Sequence, residues 1–171
     1  MSSAPPDPPR QAGGKRSRAR LAAVQALYQI DLSGAKPQAV IDEFLGHRLG
    51  REIDGESYGE ADPALFADIV AGTSERLPEL DRALSGALTP DWPLERLETV
   101  LRAILRAGAY ELTARPDVPA RVAISEYLDI AHAFFAGKEP GLINGVLDKL
   151  AHALRPGDLE EGRRGGGAPA R

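Results

Sequence analysis

The chain of 171 residues contains no cysteine, and only one methionine, one tryptophan, four phenylalanines and four tyrosines. Without cysteine there are no disulfides, thiolate metal sites or cysteine nucleophiles, which suits a reducing cytosol. With so few large side chains, alanine and leucine must supply most of the burial, and that favours close-packed helices. No apolar run approaches the ~20 residues that span a bilayer. The N-terminal S-S-A-P-P-D-P-P-R lacks the apolar region of a secretory signal. A cytoplasmic protein without a membrane partner is therefore expected. Catalytic signatures are missing too. There is no Walker loop and no G-x-G-x-x-G, and His47, His132 and His152 lie far apart without metal-ligand spacing. Neither an enzyme, a metal site nor a cofactor is expected.

What the chain does have is an uneven charge distribution. The first twenty residues carry Arg10, Lys15, Arg16, Arg18 and Arg20 against Asp7 alone, a net charge of +4. The remaining 151 residues carry 16 basic and 24 acidic side chains, a net of −8. A cationic patch on an acidic body points to a polyanion, most plausibly nucleic acid.

Residues 1–14, rich in Pro, Ser and Gly, read as a disordered basic arm, and 157–171 as a disordered tail. Between them, 15–156 has a helical period. Leu21, Val24, Leu27 and Tyr28 form one stripe that stops near Ser33-Gly34, and a weaker helix follows over about 37–49. Residues 50–61 read as a loop. Asp62-Pro63 is an N-cap followed by proline at the first helical position, and Pro78 should break the helix that begins there. Trp92-Pro93 opens the strongest stripe, Leu94 to Leu112, which must end before Pro116. Pro119 starts another helix, stopped by Gly137, and the last runs from about Gly141 to Arg155-Pro156. No segment alternates β-branched with polar residues. The expected fold is all-α, a compact bundle of six to seven helices.

Four segments in order carry a resemblance. R-S-R-A-R-L-A-A-V-Q-A-L-Y (16–28), I-L-R-A-G-A-Y-E-L (104–112), V-P-A-R-V-A-I-S-E-Y (118–127) and I-N-G-V-L-D-K-L (143–150) resemble the NusB family over about 16–156. The resemblance implies a transcription antitermination factor. Such a factor binds boxA-type single-stranded RNA of nascent ribosomal transcripts together with NusE, a small-subunit ribosomal protein, in a transcribing RNA polymerase complex with other Nus factors. Relatives differ in whether the free protein is a homodimer, a state that could bury the RNA face. The sequence departs from the family at Leu101, where an acidic residue is common before the Arg102 position, and at Ser125, where the common run is I-N-E. Two other readings stand beside this one: the helical RNA-binding domain of an rRNA-modification system, and a pure protein-interaction bundle.

The candidate RNA contacts begin with Arg16, Arg18 and Arg20. Side chains two apart do not share a helix face, so the three would grip a flexible strand from several sides. Arginine at a helix N-terminus opposes the dipole and calls for an anion; the plain alternative is a solvated helix start. Gln25 offers donor and acceptor to a base edge, and Tyr28 offers a ring to stack on or a core aromatic. Arg102 either reaches RNA or pairs with Glu98 or Glu95. Phe135, Lys138 and Asn144 gather near the last interhelical turn as a single-strand platform, or as a capped junction with Phe135 in the core. Lys149 reaches phosphate or pairs with Asp148. Glu111 is expected to pair with Arg106 or Arg115. The Gly of Asn144-Gly145 costs a helix about 1 kcal/mol, and close helix packing is the favoured reason for it.

Overall fold

The computed structural model describes residues 14–49, 52–53, 56–57 and 60–159. Their helices are α1 (Lys15–Ser33), α2 (Pro37–His47), α3 (Pro63–Glu75), α4 (Leu77–Ala87), α5 (Thr99–Ala114), α6 (Ala120–Phe134) and α7 (Glu139–Leu154). A 3-10 turn spans Leu94–Arg96, and a further helical turn covers 156–159. The fold is the all-α bundle that the periodicity implies.

Several boundaries follow from local chemistry. Gly34, with φ of 70°, ends α1 in the left-handed conformation that glycine adopts without strain, and its N–H donates to the Ile30 carbonyl. The Asp62 side chain accepts from the Leu65 N–H, capping α3, with Pro63 at the first position. Arg76 is both the C-cap of α3 and the N-cap of α4, so Pro78 falls in the first turn of a new helix, where its missing N–H costs nothing.

Three expectations need correction. The stripe beginning at Leu94 is not one helix: Leu94 opens a separate 3-10 turn that Leu97 caps in an extended conformation, and α5 starts at Thr99. A spacing of three serves both geometries, so periodicity could not separate them. The loop 50–61 contains a minimal antiparallel pair, β1 (Glu52–Ile53) with β2 (Glu56–Ser57). The folded part also extends past 156: Leu159 is only 7% exposed, and the Asp158 carboxylate accepts from the Ala120 N–H at 2.9 Å. The rest of the expected arm and tail, 1–13 and 160–171, lies outside the described residues.

The core is centred on α5, which packs against α1, α3, α4, α6 and α7. Eleven of its 16 residues are buried. Ala107, Gly108 and Ala109 let neighbours come close: a Cβ on Gly108 would lie 2.9 Å from Leu147 Cδ1 of α7. On α3, Gly72 leaves room for the Tyr110 ring. Phe44 of α2 stacks on Phe66 of α3 with centroids 5.3 Å apart. No described helix is long and apolar enough to cross a membrane.

Candidate nucleic-acid interface

The three arginines at the start of α1 have three different fates. Arg16 is exposed and makes no hydrogen bond or ion pair among the described residues. Arg18 is half-buried, and its Nε donates to the Glu60 carbonyl at 2.7 Å. Arg20 is 1% exposed and cannot touch RNA in this fold, which corrects the expectation for that residue. Its Nε and Nη2 donate to the two Glu111 oxygens at 2.9 Å each, and its Nη1 lies 3.5 Å from Glu126. The Tyr127 hydroxyl donates to the same Glu111 carboxylate. Burial works against the Arg20 charge, but the Glu111 hydrogen bond and charge outweigh it, and the guanidinium pKa is raised. Burial, then the charge and hydrogen bond of Glu111, also push the Tyr127 hydroxyl well up, so it stays a donor. Glu111 therefore pairs with Arg20 rather than with Arg106 or Arg115.

Position 111 falls on the buried side of α5, three residues from Gly108 and seven from Ile104. An acid in an apolar phase signals a buried partner. That signal was available in the sequence, although it does not say which cation answers it.

Acidic groups of the chain already meet part of the α1 start. Lys15 pairs with Glu60 at 2.9 Å, and that hydrogen bond and charge lower the Glu60 pKa. The Ser17 hydroxyl lies 2.9 and 2.8 Å from the two Glu126 oxygens. Both the first turn of α1 and the middle of α6 thus share one edge of the molecule. Gln25 is half-buried. Tyr28 is half-buried and packs against the core, so part of its ring surface stays open.

Arg102 is the second correction. Its Nε and Nη2 reach Asp31 at 3.2 and 3.0 Å, and its Nη1 reaches the Glu95 and Leu97 carbonyls at 3.1 Å each. The Thr99 hydroxyl lies 3.5 Å from Nη2. These partners occupy its donors, so Arg102 ties α5 to α1 and to the 3-10 turn instead of offering a free fork. Arg106 holds Asp81 through two bonds of 2.8 and 2.9 Å and also approaches Asp31.

At the α6–α7 junction, Phe135 is half-buried against the core, and Lys138 is exposed at the N-cap of α7. Asn144 and Lys149 are both exposed on α7. Five residues apart, they point about 140° away from each other around the helix, so no single surface holds both. Asn144 lines a groove between α6 and α7. Gly145 is exposed, and a Cβ there would meet nothing within 4 Å, so packing does not require this glycine.

Sequence reasoning missed the main polar tie of the C-terminal end. Arg155 donates to the carbonyls of Glu111, Leu112, Arg115 and Val118, at 2.7, 2.9, 2.6 and 2.5 Å. It gathers carbonyls at and just beyond the end of α5, of which those of Glu111 and Arg115 also accept a backbone N–H. Another missed cluster joins Tyr110 and Arg115 through Asp68, at 2.9 and 3.0 Å. Burial, then the Asp68 hydrogen bond, pushes the Tyr110 hydroxyl pKa up to about 12. Among the described residues no cluster of His, Asp and Glu could hold a metal ion.

Comparison with known proteins adds to this geometry. The NusB family model matches residues 17–152. A transcription antitermination protein NusB from Brucella ovis is 55% identical over 150 residues, covering 88% of this chain and 87% of its own. Its counterpart from Brucella anthropi is 54% identical and covers 88% and 89%. Among solved structures, T. maritima NusB superposes with a TM-score of 0.71 at 27% identity, covering 86% of this chain and 98% of its own. A structure of antitermination factors NusB and NusE in complex with dsRNA matches with a TM-score of 0.63 at 23% identity, which bears on the fold. It covers 80% of this chain and 96% of its own.

Proposed function

The chain belongs to the NusB family, and from that premise we propose that it is a cytoplasmic transcription antitermination factor that binds boxA-type single-stranded RNA together with NusE. The observation that carries this reading is the 55% identity, over 88% of the chain, to antitermination proteins. It is not an enzyme. Arg16, Arg18, Gln25, Tyr28, Phe135, Lys138, Asn144 and Lys149 remain the side chains offered to RNA. Exposed Arg16 beside the basic arm supplies the phosphate attraction, and the half-exposed Tyr28 ring supplies a stacking surface.

Phosphate contacts position a strand without specifying it. A basic ribosomal protein fits the net −8 body and would add the missing contacts. RNA and NusE then bind cooperatively, and each strengthens the other by the same factor. The complex acts on transcribing RNA polymerase with other Nus factors, and a homodimer of the free chain would compete with it. The experiment is a titration of NusE into this protein with and without boxA RNA. Tighter protein association in the presence of RNA is expected. Equal affinity in both arms, or no complex, overturns the cooperative reading.

A further inference from the structure

The groove between α6 and α7 has an open volume of about 340 Å³, at the small end of ligand pockets and enough for one nucleoside-sized group. Its apolar lining comes from Ile124 and Leu128 of α6 and from Leu159. Arg121, at the start of α6, lines one wall. It is exposed and makes no hydrogen bond or ion pair among the described residues. Asn144 and Asp148 of α7 line the opposite wall. Four residues apart, they are neighbours on one helix face, with Cβ atoms about 5–6 Å apart. Asn144 is exposed and makes no side-chain hydrogen bond among the described residues; Asp148 is exposed, and among the described residues its carboxylate approaches only His152 Nδ1, at 3.4 Å.

We propose that this groove is a guanine-selective subsite for single-stranded RNA, read by Asn144 and Asp148 and anchored by Arg121. The inference rests on the RNA-binding function proposed above. Its chemistry is specific. Guanine presents, along its Watson–Crick edge, one carbonyl acceptor followed by two adjacent N–H donors. An amide offers a donor to the carbonyl, and a carboxylate accepts the two N–H groups together. No other base has two adjacent donors on that edge. Adenine and cytosine would each turn a ring-nitrogen acceptor toward the carboxylate, and uracil would turn one N–H donor and one repelling carbonyl. Ile124 and Leu128 give the base plane an apolar surface, and the free guanidinium of Arg121 faces the phosphate.

Position supports the same occupant. The Ser17 hydroxyl, between Arg16 and Arg18, bonds the Glu126 carboxylate of α6. The preceding residue, Ser125, lines the groove. A strand held at the start of α1 therefore reaches the groove by crossing α6 alone, a helix roughly 10–12 Å in diameter. Val122 stands exposed on that crossing, a smooth apolar step.

The test uses short single-stranded RNAs with one guanine in a pyrimidine tract, and the same RNAs with inosine, which lacks the second donor, or adenine in its place. The wild type should favour guanine over inosine and adenine by roughly tenfold. Asp148→Asn removes the guanine-specific acceptor pair and a repulsive charge together, so the inosine and adenine RNAs should bind more tightly and the guanine preference should collapse to within about twofold. Arg121→Ala should weaken binding to every sequence and lower the slope of log affinity against log salt by about one. A wild type indifferent to the base, or folded variants that keep its preference and salt slope, overturns the subsite. If Arg16→Ala still weakens RNA binding in that case, the family function stands and only the groove fails. If no RNA binds at all, both fall. Loss of NusE binding without RNA in either groove variant would assign the groove to the protein partner and overturn the proposal.

Discussion

Of the basic residues near the start of α1, Arg20 carries the heaviest structural duty and the lightest functional one. Its guanidinium and the Glu111 carboxylate are both almost fully buried, and each is the main counter-charge of the other. Removing one partner of a buried ion pair leaves an uncompensated charge and costs about 3–5 kcal/mol. Arg20→Ala should therefore lower the unfolding free energy by about that much in urea titrations, whereas Arg16→Ala, at an exposed site, should stay within about 0.5 kcal/mol of the wild type. A triple alanine variant at Arg16, Arg18 and Arg20 would confuse lost RNA contacts with lost folding, so the two effects need single substitutions. A stable, cooperatively folding Arg20→Ala protein would overturn the structural role. At this scale the sequence shows a run of arginines but not their phases. Four residues separate Arg16 from Arg20, and that pair would share a helix face in isolation. What separates them is depth: Arg16 stands in the first turn, above the bundle, and Arg20 lies between α5 and α6.

Elements were more legible than their contacts. The Gly34 stop, the Asp62-Pro63 start and the termination of α5 ahead of Pro116 follow from backbone chemistry that acts within a few residues, and the structure has them. Glycines inside helices are different, because their reason lies on another element. Gly108 and Gly145 look alike in the sequence. A Cβ on Gly108 would lie 2.9 and 3.0 Å from the two methyls of Leu147, while one on Gly145 would meet nothing within 4 Å. The two alanine substitutions should then have opposite signs. Gly145→Ala gains helix propensity of about 1 kcal/mol with no steric cost. Gly108→Ala gains the same but forces α5 and α7 apart or bends Leu147 off its rotamer, at about 1–3 kcal/mol. Urea denaturation of the two variants checks this, with Gly145→Ala more stable and Gly108→Ala less stable than the wild type. Stabilisation by both would mean that the α5–α7 contact is slack.

At the scale of the whole molecule, composition and period suffice for an all-α bundle, since a chain rich in Ala and Leu with helical stripes has few other ways to bury them. The C-terminal limit was less visible, because R-P-G-D-L-E has the composition of a tail. Its burial depends on three side chains finding distant partners. Arg155 gathers carbonyls at the end of α5 and at Val118; Asp158 accepts from Ala120 N–H at the start of α6, which has no side-chain cap of its own; and Leu159 closes over the core. A protein shortened to residues 15–156 loses the last two. The cap is worth about 1 kcal/mol, and burying a leucine about 1.5–3 kcal/mol. Together they amount to about 2.5–4 kcal/mol. Since 1 kcal/mol moves the midpoint of a chain this size by about 2–4 °C, the truncation should melt roughly 5–15 °C lower, while a version ending at Leu159 should keep nearly all of that stability. Because α6 carries Arg121 and Glu126, loosening its start should also weaken RNA binding in the shorter protein. A thermal melt of both versions decides the first point. Equal midpoints would mean that the segment after Pro156 merely rests on the bundle, and Asp158→Ala in the longer version would then be silent as well.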